Sequence, residues 1–284
     1  MKPLQLSYAR LALMGSVGLF VMARAADAAL YGNFAGPNIS YWNVTESDSQ
    51  IAGPPPVTST PSALFGAPAL SPPISDNLEF PAMTFSDLVA DGQFQLQDGM
   101  LTFDVTPTTT ATIHSLAFDE GGAWRVVGLA GDASAEATLV FNDLRITAVN
   151  GVALGAAIIV NPTFSESFTP QIGFASVNMG DGDISFTSSG GNAVGTWDIR
   201  AGFNIDAALA ARGLTGQVTS ISVALDDQLF AQTTSVDSAL TLASIDKKHF
   251  IVSGITTSMP EPTSLSLLLG GALMMLRRRK QASH

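Results

Sequence analysis

Residues 195–205 read Gly-Thr-Trp-Asp-Ile-Arg-Ala-Gly-Phe-Asn-Ile. The odd positions are Trp197, Ile199, Ala201, Phe203 and Ile205; the even ones are Thr196, Asp198, Arg200, Gly202 and Asn204. Successive side chains of an extended strand point to opposite faces. A strict period of two therefore gives one apolar and one polar face, as a half-buried antiparallel strand requires.

The same reading extends outward in both directions. Downstream, Asp206 is placed to cap a short helix over 207–212, and Gly213 to stop it in the left-handed conformation. Ile221, Val223 and Leu225 then alternate up to Asp226-Asp227, and Leu240 and Leu242 lead to an expected turn near Asp246-Lys247, before Phe250 to Ile255 closes the domain. Upstream, Phe94 and Leu96 alternate with glutamines, and Asp98-Gly99 is expected to supply the positive φ angles of a hairpin turn. Leu101, Phe103 and Val105 form the return. Leu139 and Phe141 precede a second expected turn at Asn142-Asp143, followed by Leu144 and Ile146, and Asn150-Gly151 is another hairpin signal. Many short strands with one minor helix predict an all-β fold, an antiparallel β-sandwich or jelly roll. The repeated amphipathic helices of a parallel α/β fold are missing.

The sandwich is assigned to residues 77–258. Residues 29–76 are read as one or two N-terminal strands, carrying Tyr31, Phe34, Tyr41 and Trp42, followed by a proline-rich linker. Seven prolines fall between Gly53 and Pro73, and proline gives a sheet or helix ladder no amide donor.

Both ends of the chain carry signals rather than fold. Lys2 and Arg10 precede an apolar stretch, Leu11 to Ala23, and then the small-residue patterns Ala23-Arg24-Ala25 and Ala26-Asp27-Ala28. Residues 1–28 thus read as a secretory signal peptide, cleaved by signal peptidase after Ala28 with Ala26 and Ala28 as the small-residue pair. At the other end, residues 259–284 hold Pro260-Glu261-Pro262, an apolar run from Leu265 to Leu276, and Arg277, Arg278, Arg279 and Lys280. As a helix the twelve-residue run is about 18 Å long, short of the roughly 30 Å hydrocarbon core. The cations fix its orientation, leaving the chain before Pro260 outside the cytoplasm.

This three-part tail resembles the PEP-CTERM sorting signal of Gram-negative bacteria. The resemblance implies an exosortase-type membrane protease as partner, with Pro260, Glu261 and Pro262 as the recognition element. It implies transient contact with the inner membrane, held by Arg277, Arg278 and Arg279, and a final location on the cell surface or in the extracellular matrix. It further implies a structural or adhesive role linked to exopolysaccharide and biofilm. The segment Ile245-Asp246-Lys247-Lys248-His249-Phe250 is similar, more loosely, to a strand turn in ectodomains of other PEP-CTERM proteins.

Charge sharpens the picture. The whole chain of 284 residues carries −11, but residues 29–258 hold 22 acidic against 6 basic side chains, a net −16. Such a body repels nucleic acid and anionic lipid, and favours solubility or cation binding. There is no cysteine, which excludes disulfides, thiol catalysis and cysteine-ligated metal.

Catalytic signals are thin. Of three histidines, His284 lies in the tail, His114 in an alternating strand pattern, and His249 beside two lysines in the expected turn. No Gly-x-Ser-x-Gly elbow is present. Asp119-Glu120, ahead of Gly121-Gly122-Ala123-Trp124, offers paired carboxylates for glycoside hydrolysis and an aromatic to stack on a sugar. The same residues also make an ordinary solvated turn. No catalytic residue is assigned. Asn178-Met179-Gly180-Asp181-Gly182-Asp183 spaces oxygen ligands as calcium prefers, with Asp181 and Asp183 as weak candidates and Asp226-Asp227 as a further pair. No cofactor is otherwise expected. The sequons at Asn38 and Asn43 carry no information in a bacterial chain. Two alternatives remain, a secreted carbohydrate-binding module, with Trp124 and Trp197 as stacking candidates, and a secreted glycan hydrolase.

Overall fold

The structure, a computed structural model, describes residues 29–59, 63–71, 76–108, 111–129, 131–235 and 241–258. The signal peptide and sorting segment read at the two ends lie outside the described residues. In chain order the strands begin with β1 (Ala29–Ala35), β2 (Ile39–Gly53), β3 (Val57–Ser59), β4 (Ala69–Leu70), β5 (Leu78–Glu79) and β6 (Ser86–Ala90). Long strands follow: β7 (Phe94–Pro107), β8 (Ala111–Gly128) and β9 (Asp132–Val149). Then come β10 (Val152–Ile159), β11 (Thr163–Ile172), β12 (Ser176–Gly180), β13 (Asp183–Ser189) and β14 (Asn192–Asn204). Helix α1 (Ile205–Ala211), β15 (Val218–Thr233) and β16 (Thr241–Ser258) complete the fold.

Two antiparallel sheets face each other. One has the order β1-β2-β7-β15-β9-β13-β12, with β3 on β2 and β10 on β9; the other runs β11-β14-β8-β16-β5-β4, with β6 on β16. Among the described residues the expected β-sandwich with one short helix is what forms, and no helix there is long and apolar enough to cross a membrane.

Strand β14 buries Trp197, Ile199, Ala201 and Phe203 and turns Asp198 and Arg200 outward, as its alternation requires. Opposite it, Phe141 from the other sheet wedges against Phe118 and Phe203, with ring centroids 4.7 and 4.6 Å apart and the planes near-perpendicular. Such edge-to-face pairs add about 0.5–1.5 kcal/mol each beyond area burial.

Three expected turns are strand interior instead. β7 runs straight through Asp98-Gly99, β9 through Asn142-Asp143, and β16 through Asp246-Lys247; β15 likewise continues through Asp226-Asp227. Each was a break in the apolar alternation, and the causes differ. At Asn142 the register slips by one residue, so inward positions pass from Leu139 and Phe141 to Leu144 and Ile146 across a bulge. In β7 nothing slips: Gln97 and Gly99 continue the inward set, and Gln97 is tied to Ser86 through both its amide atoms, at 2.8 and 3.2 Å. In β15, Asp227 faces the core in phase with Leu225 and Leu229. Asn150-Gly151 does turn the chain, at φ 51° and 74°, which are the signs a two-residue hairpin needs.

Two further expectations shift. α1 starts earlier than expected, capped by Asn204, whose Oδ1 accepts from the Ala207 amide at 2.8 Å; Asp206 lies in its first turn. The proline-rich stretch is also not a mere spacer. β2 pairs along its whole length with β7, and Leu64 and Phe65 sit fully in the core, Phe65 packing on Phe80, Phe85 and Phe250.

Candidate functional site: an ionic layer on both faces of β8

The alternation of β8 separates Asp119 from Glu120. Glu120, Gly122 and Trp124 point between the sheets, and Asp119 and Gly121 point out. On the inner side Lys247 of β16 reaches Glu120 at 2.6 Å and is also bonded to Asp227 of β15 in the opposite sheet, all three side chains being 0% exposed. The ammonium lies 4.9 Å from the Phe85 ring centre and 5.6 to 6.0 Å from those of Phe250, Phe65 and Trp197. Aromatic faces replace part of the hydration it has lost. Gly99, across the sandwich, makes room for this box, since a Cβ there would stand 2.6 Å from the Phe85 ring.

Burial, then the Glu120 charge, pushes the Asp227 carboxyl well above its usual range. Burial disfavours the charge on Lys247, but the pull of Asp227 and Glu120 outweighs it and its pKa rises. Nearby, Glu46 and Asp48 of β2 also face inward and accept the Phe65 and Leu64 amides at 2.6 and 3.1 Å. Asp87 of β6 is fully buried, and burial lifts it to about 8 against the opposing pull of the Gln95 side chain and the Gln97 backbone.

The outer face carries a second cluster. Asp198 and His249 each pair across their strands with Gly121, and Arg200 pairs with Asp119. His249 Nε2 is 3.3 Å from Asp119 Oδ1 and 3.8 Å from Asp198 Oδ1, and Arg200 Nε holds Asp119 Oδ2 at 2.9 Å. A bulge brings His249 there. Lys247 pairs with Gly122 and His249 with Gly121, so Lys248 is the extra residue. The slip lets Lys247 and Phe250 both face inward while His249 faces out. Gly121 and Gly122 accept this bulge: a Cβ on Gly122 would lie 1.8 Å from the Asp246 carbonyl oxygen.

The expected site residues fare unevenly. Asp119 and Glu120 are not a facing pair. Trp124 is 2% exposed and stacked at 4.1 Å on Phe186, and Trp197 is 0% exposed, so neither is available to a sugar. His114 is paired with Asp206 at 2.8 Å. Asp181-Gly182 is a two-residue hairpin turn, φ 56° and 86°, between β12 and β13. Among the described residues, three metal-ligating side chains converge at Asp119, Asp198 and His249, and not at Asp181 and Asp183. Beside β6 a groove of about 300 Å³ is lined by Pro81, Met83, Phe85, Asp246 and Lys248, among others. Its one acid, Asp246, is held by Lys248 at 2.7 Å and by the Ala123 amide at 2.9 Å.

Sequence reasoning missed both ionic groupings. The available signals were Lys247 in phase with Ile245, and Asp198 and Arg200 on the polar side of β14. No protein-family model matches the chain. Comparison with curated proteins finds no relative. The class that fold and site define is an antiparallel β-sandwich with a layer of ionisable side chains crossing its core.

Proposed function

We propose that the sandwich is the exported body of a bacterial surface or matrix protein. In this reading the segment at 259–284 is a PEP-CTERM signal processed by an exosortase-type protease, and the mature body is a structural or adhesive partner of exopolysaccharide. The observation that carries the non-hydrolytic side of this reading is the placement of Glu120. The acid best situated for glycoside chemistry lies between the sheets, bonded to Lys247, while Asp119 lies on the other face. Retaining and inverting hydrolysis both need two carboxyls flanking one glycosidic bond. The net −16 of residues 29–258 supports a soluble body.

The test is fractionation of cells expressing the full chain or a variant with Pro260, Glu261 and Pro262 all changed to Ala. The expected outcome is surface or matrix delivery of the first and inner-membrane retention of the second. Equal delivery of both sinks the sorting half of the reading. Binding of the full chain to the host's own exopolysaccharide, with calcium and with chelator, tests the other half, and no binding in either condition sinks it. Glycan hydrolysis lost on Glu120→Ala in a folded protein would replace the whole reading with an enzyme.

A further inference from the structure

We propose that Asp119, Asp198 and His249 form a binding site for a divalent transition-metal ion, zinc by its chemistry, on the outer face of β8, β14 and β16. The distances support ligation over a plain ion pair. A charge-assisted bond between an imidazole nitrogen and a carboxylate settles at about 2.7–2.9 Å. Here His249 Nε2 stands 3.3 and 3.8 Å from the two carboxylate oxygens. Ligands placed about 2.0–2.1 Å from a tetrahedral zinc are separated from one another by roughly 3.3 Å. The 3.3 Å separation matches such an edge, the 3.8 Å one is wider, and all three ligand atoms lie within 4.8 Å of one another, so small side-chain shifts would bring them onto one ion.

Two features of the backbone bring them there. The extra residue at Lys248 rotates His249 from the core to the outer face, and bulges commonly re-aim a side chain in this way. Gly121, flanked by Asp198 and His249 on its two neighbouring strands, lets both side chains close over β8. A Cβ on it would stand 2.6 Å from Asp198 Oδ1 and 2.7 Å from His249 Cε1. The two ligands lean over β8 because Gly121 has no side chain.

Arg200 completes the arrangement without blocking it. Its guanidinium is engaged with Asp119 Oδ2, leaving Oδ1 toward His249. Ligating carboxylates are regularly anchored through their other oxygen in this manner. The three ligand side chains are 32 to 43% exposed, so a fourth position is open to water. An imidazole with two carboxylates suits zinc, cobalt, nickel or copper, whereas calcium takes six to eight oxygens. The strongly acidic body raises the local cation concentration around the site.

Calorimetric titration of the purified full chain, stripped with chelator, tests this with zinc and calcium salts in separate runs. The expected result is one zinc per chain, weakened about tenfold or more by His249→Ala and by Asp198→Asn. His114→Ala, which touches a distant His–Asp pair, leaves zinc affinity unchanged. Cobalt in place of zinc gives visible d–d absorption that His249→Ala abolishes. Thermal midpoints measured in chelator check that each variant is folded. Zinc affinity that survives both ligand variants overturns the proposal, and so does saturable calcium binding in place of zinc.

Discussion

Asp119 and Glu120 are neighbours in β8, yet they belong to two different chemistries. Glu120 shares a dry space with Lys247 and Asp227, where water has been removed and every charge must be met by protein. Asp119, on the other face, lies with Arg200, His249 and Asp198 in partial contact with water. Inside, the polar groups specify how the two sheets meet, because Lys247 and Glu120 come from one sheet and Asp227 from the other. Outside, the same strand carries half-exposed groups whose interactions water screens. What a residue does here is decided by the parity of its position.

The comparison breaks most sharply at Lys247. Lys247→Met leaves buried carboxyls without their cation, a change that costs about 3–5 kcal/mol. For a fold of roughly this size that lowers the thermal midpoint by about 10 °C. Denaturant unfolding showing less than about 1 kcal/mol would mean that the inner layer is not held as described. Replacing Lys247, Glu120 and Asp227 together by Met and Leu is expected to recover most of the loss, since apolar groups leave nothing unpaired. Failure to recover would assign the layer a packing role that apolar side chains cannot fill.

Next in size is the dependence on pH. Asp48, Asp87 and Asp98 are held at about 8, burial being the largest cause for each, with Glu46 adding to the shift at Asp48 and Asp226 at Asp98. Their ordinary value is 3.8. Between about pH 4 and 8 the unfolded chain releases protons that the folded chain keeps. Stability therefore falls as pH rises through that window, and the contribution is gone above the folded value. The thermal midpoint should be higher at pH 5 than at pH 9. Asp87→Asn should flatten the profile and raise the midpoint at pH 9, because amide and protonated acid are alike in charge. A midpoint that climbs from pH 5 to 9 contradicts this account.

Smallest is the outer face. His249→Ala and Arg200→Ala, measured in chelator, are each expected to change stability by less than about 1 kcal/mol, as exposed ion pairs do. A loss as large as that of Lys247→Met would show that the outer cluster is as structural as the inner one.

Much of the fold was legible. The period-two pattern of 195–205 gave β14 and its buried face, and Asn150-Gly151 gave its hairpin, because each is a local rule obeyed locally. Asp98-Gly99, Asn142-Asp143 and Asp246-Lys247 misled for one shared reason. Turns and interrupted strands look alike along a chain, since both break apolar alternation with Asp, Asn or Gly. Only a partner across the strand or sheet tells them apart: Leu139 and Gly99 beside Asp227, or Gly122 beside Lys247. Trp124 was offered for sugar stacking because its parity in β8 was masked by the glycines before it; Phe186 is what it stacks on.

By itself, the sequence determined that this protein is an all-β sandwich, that it has no thiol chemistry, and that its body is strongly acidic. Those properties are sums and short periods, and they need no knowledge of which strand lies beside which. Tertiary structure alone decided that Lys247 meets Glu120 and Asp227, separated from it by 127 and 20 residues, and that His249 meets Asp119, 130 residues away. Such meetings depend on sheet order and on a one-residue bulge at Lys248. A single inserted residue exchanges the inner and outer faces of everything that follows it, and no local pattern in the chain records that exchange.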